Sequence, residues 1–143
     1  STFAKKGQFK YQNIEGWGLT TDGKYIIMSD GTHHLTYIDP KNFQTIKSIS
    51  VSENGYAVQN LNELEYIEGY IFANVWLKNE IVKINPSNGN VIGKLDLTRF
   101  KDSVLQTNPN AQETNGIAYN PDTKKIIVTG KLWPKMYEIE IPR

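Results

Sequence analysis

"ELEYIEGYIFANVWLKNEIVKINPSNGNVIGKL", residues 63–95, decides the fold because the chain says it more than once. A related stretch, "GLTTDGKYIIMSDGTHHLTYIDPKNFQTIKSI", begins 45 residues earlier at Gly18. Leu19 answers Leu64, and Ile26-Ile27-Met28 answers Ile71-Phe72-Ala73. With one residue inserted, Ile38-Asp39-Pro40 answers Ile84-Asn85-Pro86. A third copy, "GIAYNPDTKKIIVTGKLWPKMYEIEI", starts at Gly116; Ile117 answers Leu64 at a spacing of 53, and Ile126-Ile127-Val128 answers Ile71-Phe72-Ala73 at 55.

Each copy holds short runs rich in Ile, Val, Tyr and Phe, separated by turn signals such as "TDGK", "DPKN" and "NPSNGN". The residue before each proline is pushed out of the helical region, which favours a corner there. The runs predict strands near 16–20, 25–29, 34–39 and 44–51, then near 61–67, 70–75, 80–85 and 91–96. Four strands in about 40–45 residues is the length and pattern of a propeller blade. The expected fold is therefore all-β, a β-propeller with about three four-stranded blades in this chain. Residues 1–12 read as the last strand of a preceding blade, 14–52 and 58–97 as blades, 98–113 as a linker, and 114–143 as an incomplete last blade. Within the linker, Leu97, Phe100, Val104 and Leu105 stand at roughly helical spacing and predict a short helix. Since propellers have about four to eight blades, this partition predicts a fragment, a processed form or a short form that self-associates.

Register selects candidate site residues. Trp17, Asn62 and Asn115 occupy one repeat position at the start of the first strand; Gly31, Trp76 and Lys131 occupy another, just after the second. In a propeller the first strands line the central channel, so these positions converge on one mouth. Aromatic walls with a few fixed polar groups suit a small-ligand pocket. Each residue also has a plain structural reading: the tryptophans as blade packing, the asparagines as backbone partners at a strand start, the lysine as a solvated turn residue.

Bulk properties narrow the classes. The 143 residues suffice for one domain with a real core. Net charge is +1 with charges dispersed, and no basic block suggests nucleic acid. The absence of cysteine excludes disulfide and thiolate chemistry. No run of 18 apolar residues offers a membrane span, and no secretory leader is visible. His33-His34 reads as a hairpin turn with the two rings on opposite sides rather than as a metal pair. Glu63 and Glu65 read as a solvated face. No phosphate loop, nucleophile elbow or Cys/His cluster occurs.

Four motifs, "EGWGLTTDGKYIIMSDGT", "IDPKNF", "LNELEYIEGYIFANVW" and "NGIAY…VTGKLWP", resemble the plant and bacterial type of glutaminyl-peptide cyclotransferase over nearly the whole chain. The resemblance implies a five-bladed propeller that turns an N-terminal glutamine into pyroglutamate and releases ammonia, with no cofactor or catalytic metal. It implies as partner a peptide or protein with N-terminal glutamine. It implies roles for Trp17 and Trp76 in the substrate pocket and for Asn62 and Lys131 in catalysis; Asn115 is added by the repeat alone as a substrate-binding residue. It suggests an exported protein. The family's proton-shuttling glutamate belongs to an "FGEG"-like motif of an earlier blade, which is absent here, and five blades would need roughly 200–225 residues. The chain alone is therefore expected to be inactive until missing blades or self-association close the ring. The alternative expectation is a non-catalytic binding or scaffold propeller that uses the same mouth.

Overall fold

The computed structural model describes residues 3–140. Each repeat forms an antiparallel sheet whose strands pair in chain order. The first sheet joins β1 (Gly18–Thr21), β2 (Ile26–Ser29), β3 (His34–Ile38) and β4 (Thr45–Ser50). A hairpin of β5 (Ser52–Glu53) and β6 (Tyr56–Ala57) leads to the second sheet. That sheet joins β7 (Leu61–Ile67), β8 (Tyr70–Val75), β9 (Glu80–Ile84) and β10 (Val91–Asp96). Helix α1 (Thr98–Thr107) precedes the third sheet, β11 (Thr114–Asn120), β12 (Lys125–Gly130) and β13 (Tyr137–Glu140). The repeat is kept in the ladders: Leu19 pairs with Met28, Leu64 with Ala73, and Ile117 with Val128.

Turn chemistry sets these registers. Asp22 Oδ1 accepts the N–H groups of Lys24 and Tyr25 at 2.8 and 2.7 Å, closing the β1–β2 turn. The β7–β8 turn uses Glu68 and Gly69 at φ 48° and 89°, the paired positive angles that match the twist of a tight hairpin.

The middle sheet explains why "YIFANV" is nearly unbroken in its apolarity. Ile71, Ala73 and Val75 pack with Ile27, Leu35 and Tyr37 of the first sheet. Phe72, between them, turns to the other side and joins Ile117, Ile126 and Val128 of the third. A sheet covered on both faces needs no polar alternation. Helix α1 closes the second core with Leu97 at its N-terminus and Phe100, while Val104 is also buried and Leu105 is left at the surface. Just before the helix, Asp96 closes a turn, its carboxylate accepting the Thr98 N–H at 2.8 Å.

Of residues 1–12, expected as a strand, 3–12 take no strand conformation, and residues 1 and 2 lie outside the described range. Phe9 stacks on Phe43 with ring centroids 3.6 Å apart, and Asn13 donates to Asp30 at 2.6 Å and Thr36 at 3.2 Å. The segment is thus tied to the first sheet by side chains. A fourth strand needs the third strand of its own sheet as partner, and in the first sheet, beside which this segment lies, β4 already holds that place.

The first strands of successive sheets meet through side chain to backbone bonds rather than through a ladder. Thr20 Oγ1 accepts the Tyr66 N–H at 3.0 Å; Glu65 Oε1, at the same repeat position, accepts the Tyr119 N–H at 3.0 Å. The second strands contribute too. Ser29 Oγ donates to the Asn62 carbonyl at 2.5 Å, and Asn74 Oδ1 accepts the Gly116 N–H at 3.0 Å. Glu63 and Glu65, expected on a solvated face, instead serve this seam: Glu63 Oε2 accepts the Ile117 N–H at 2.8 Å. Buried backbone groups must find partners somewhere, and here neighbouring sheets supply them.

Two predictions follow from the seam. β1 approaches β7 so closely that a Cβ on Gly18 would lie 2.3 Å from the Asn62 carbonyl oxygen, a backbone atom that cannot swing away. Gly18→Ala should therefore destabilise the fold by about 1–3 kcal/mol, read as a lower urea midpoint. Burial pushes the Glu63 carboxyl up from 4.5 to about 7, opposed by the Ile117 hydrogen bond and assisted by the charge of Glu65. Between those two values the folded chain holds a proton that the unfolded chain has released, so stability falls as pH rises through this window. Glu63→Gln keeps an oxygen for Ile117 and removes the titration. It should be the more stable form at pH 8, by on the order of 1–2 kcal/mol, with the advantage gone at pH 4; parallel pH slopes for the two proteins would refute this origin of the shift.

Candidate functional site

Odd residues stand where the first strands bulge. The β7–β8 register slips between Leu61 and Leu64, which places Asn62 and Glu63 in the bulge. The β11–β12 register slips between Thr114 and Ile117, around Asn115 and Gly116. In the first sheet the matching residues are Trp17 and Gly18, with the Trp17 N–H donating to the Ser29 carbonyl at 2.9 Å. A bulge re-aims side chains that a regular pleat would send to alternating faces.

Trp17 and Trp76, 59 positions apart, meet edge to face with centroids 5.5 Å apart and planes at 88°. That geometry suits the opposite charges of ring edge and ring face. Gly31 makes it possible. It sits at φ +80°, and a Cβ there would lie 2.6 Å from Trp17 Cζ2. The repeat position that carries Trp76 and Lys131 in the later sheets is thus bare in the first, and the indole of Trp17 fills the space. Beside the pair runs an open groove of about 390 Å³ whose lining includes Glu15, Trp17, Asp30, Asn60 and Trp76.

Both indole N–H groups are taken. Trp17 Nε1 donates to Glu15 Oε2 at 2.6 Å, and Trp76 Nε1 donates to Glu113 Oε1 at 2.7 Å. The same Glu113 oxygen lies 3.5 Å from Lys131 Nζ. Glu113 is held below the ordinary carboxylate range, first by its own backbone N–H, then by the Trp76 indole and the Lys131 ammonium, against the pull of partial burial. Three of the expected residues, Trp17, Trp76 and Lys131, are therefore linked by contact. Asn62 joins at one remove: its carbonyl holds Ser29 Oγ, which also accepts the Gly18 N–H at 2.9 Å, next to Trp17. Asn115 is tied only through its neighbour Gly116, bonded to Asn74.

Glu15 and Glu113 were not among the residues selected from the sequence. Their signal was the register itself, since each stands two residues before a selected position, with Asn60 between them in the second sheet. The Asn60 carbonyl accepts the Trp76 backbone N–H at 2.8 Å. The linker sets Glu113. Lys101 of α1 donates to the carbonyls of Ala111, at 2.8 Å, and Gln112. Trp133 Nε1 also donates to Gln112, at 3.0 Å, and the Lys131 N–H donates to the Glu113 carbonyl at 3.0 Å.

The histidine pair departs from expectation. The rings of His33 and His34 lie 3.9 Å apart instead of on opposite sides, because His33 precedes β3 and escapes its pleat. His33 Nδ1 lies 3.1 Å from Gln59 Nε2, and His34 Nδ1 lies 3.3 Å from Ser50 Oγ.

This architecture has counterparts. The structure superposes on the glutaminyl cyclase of Myxococcus xanthus with a TM-score of 0.85 and 37% identity, covering 92% of this chain and 56% of that one. It also superposes on hydrazine synthase of Kuenenia stuttgartiensis with a TM-score of 0.61 over 97% of this chain and 36% of that one; at 13% identity this is a likeness of fold alone. A glutaminyl-peptide cyclotransferase of Arabidopsis thaliana is 40% identical over 139 residues, which are 96% of this chain and 43% of that relative. The chain thus spans about half the length of the proteins it matches. The family model for glutamine cyclotransferase matches residues 1–141. With the all-β sheets, the shared repeat and a match of that extent, the chain belongs to the glutamine cyclotransferase family.

Proposed function

We propose that this chain supplies the substrate-facing mouth of a glutaminyl-peptide cyclotransferase, which converts the N-terminal glutamine of a peptide or protein to pyroglutamate. The observation that carries the reading is the edge-to-face contact of Trp17 and Trp76 beside an open groove, ring centroids 5.5 Å apart, with Lys131 joined to Trp76 through Glu113. In the reaction the substrate's α-amine nitrogen attacks its own side-chain amide carbon. A C–N bond closes the five-membered ring, the amide C–N bond breaks, and the proton lost by the amine leaves with the departing ammonia.

Because nucleophile and electrophile belong to one residue, holding the side chain folded is a large part of the task. The perpendicular indoles make two rigid walls for that fold. Their N–H groups are occupied, so they act by shape and by their π faces. The tetrahedral intermediate bears an oxyanion; the Lys131 ammonium and the Asn62 amide are the donors assigned to it, and Asn115 is assigned to the peptide. The proton carrier is the missing element. Glu15 and Glu113 are engaged with indoles, and Glu63 is spent on the Ile117 N–H. A carboxylate from a blade outside these residues completes the relay in this reading. The described edge of the third sheet suits further strands: β13 pairs only with β12 among the described residues, beside a groove of about 300 Å³ whose lining includes Phe72, Leu95, Ile126 and Ile139 together with Lys83, Lys94 and Glu140.

Ammonia release from a glutaminyl dipeptide, measured with this chain joined to the blades that complete the ring, tests the function. Lys131→Ala should lower kcat by about 10²–10³, the usual effect of losing one oxyanion donor, and Asn62→Ala should act in the same direction. Wild-type rates for both would remove their assigned roles. Gly31→Ala, which displaces the Trp17 ring, should instead raise KM several-fold with a smaller change in kcat; an unchanged KM would show that the ring is packing alone.

A further inference from the structure

We propose that Glu113 is a positioning residue: its carboxylate sets the orientation of the Trp76 wall and the place of the Lys131 ammonium, coupling the two through a single oxygen. The inference rests on the reading of Trp76 and Lys131 as parts of a cyclisation site, but its central contacts can be tested without turnover.

The geometry is specific. One oxygen, Glu113 Oε1, is 2.7 Å from Trp76 Nε1 and 3.5 Å from Lys131 Nζ. An indole N–H bonded to a carboxylate is a charge-assisted contact and fixes the ring about its long axis. The ring so fixed is the one that meets Trp17 at 88°. The lysine contact is looser. Lys131 keeps 45% of its side chain exposed, whereas Glu113 keeps 20%. The carboxylate thus anchors the ammonium near the mouth without enclosing it, and the cation still has donors free for a developing oxyanion.

The backbone supports this role. Glu113 lies between the Lys101-bonded carbonyls of the linker and the first residue of β11, and its carbonyl accepts the Lys131 N–H. Backbone and side chain of Glu113 both hold Lys131. The helical linker is thereby more than a spacer: it delivers its own last carboxylate onto the indole that follows β8, 37 positions earlier. In the first sheet the equivalent Glu15 serves the indole of its own sheet, so among the described residues Glu113 is the carboxylate that bridges two of the site residues.

The test uses the 143-residue chain with ¹⁵N-labelled tryptophan, the three indole N–H signals assigned by Trp17→Phe and Trp76→Phe. On acidification from pH 7 the Trp76 signal should move with a midpoint below the ordinary carboxylate range. Glu113→Ala should abolish that movement and leave the Trp17 signal in place, which also reports that the chain is folded. Lys131→Ala should raise the midpoint. A Trp76 signal indifferent to Glu113→Ala would overturn the proposal. In the completed ring, Glu113→Ala should lower kcat/KM at least tenfold. Glu113→Gln, which keeps an oxygen for the indole but no charge for the lysine, should restore the Trp76 signal and recover KM more than kcat. Wild-type kcat and KM in Glu113→Ala would overturn the positioning role while leaving the cyclisation reading intact. Failure of the wild-type ring to release ammonia would sink cyclisation and leave the indole titration to decide the place of Glu113.

Discussion

The structure depends on a seam of side chain to backbone hydrogen bonds between the first strands of successive sheets. Thr20 and Glu65 accept from Tyr66 and Tyr119; Ser29 and Asn74 reach the bulges at Asn62 and Gly116. Apolar packing between sheets is non-directional and tolerates sliding. A hydrogen bond from a fixed side chain to a particular peptide group does not, because a slip of one residue would leave buried donors unpaired, each at about 1–3 kcal/mol. The seam therefore supplies phase. It determines that residues 17, 62 and 115 stand at one level, and with them the residues that follow the second strands.

Phase alone does not make a site; the side chains must also be stiff. The indoles at positions 17 and 76 are held by each other and by a carboxylate on each N–H, and Trp17 also by the bare backbone of Gly31. Such a wall has lost its rotamer freedom during folding, so little remains to be lost when a ligand arrives. The bulges contribute by turning the residues at 62 and 115 out of strict alternation at the same level in two sheets.

Much of this is legible in the sequence. Matching Leu19, Leu64 and Ile117 places the same ladder pair in all three sheets, since an apolar residue that must face a core at every repeat leaves a trace in sequence. Turn residues fixed the strand ends, and helical spacing from Leu97 to Val104 fixed the helix. Glu63 and Glu65 meet the third sheet instead of water, and the sequence hides this for a physical reason. Alternation shows that two side chains share a face, but a carboxylate on that face looks the same whether it meets water or the N–H of a neighbouring sheet. Glu113 is hidden for a related reason: its partner is an indole N–H, which no spacing rule connects to a glutamate 37 residues away, whereas Glu15 bonds an indole only two positions along. Residues 3–10 carry strand-like composition without a strand partner, and composition does not supply one.

In the proposed cyclisation, the same contacts bear on where the proton travels. A shuttle must accept a proton from an amine and give it up to a departing nitrogen, so its affinity must lie near the working pH and its lone pairs must be accessible. Glu113 fails on both counts, being stabilised as the anion and occupied by an indole and an ammonium. Glu63 has the more suitable affinity, pushed up to about 7, but it comes from burial in the seam, where the carboxyl bonds a backbone N–H. Proton affinity and access are thus divided between different groups within this chain. In the cyclisation reading they come together on a carboxylate supplied by another blade, facing walls and a cation that these residues hold in place.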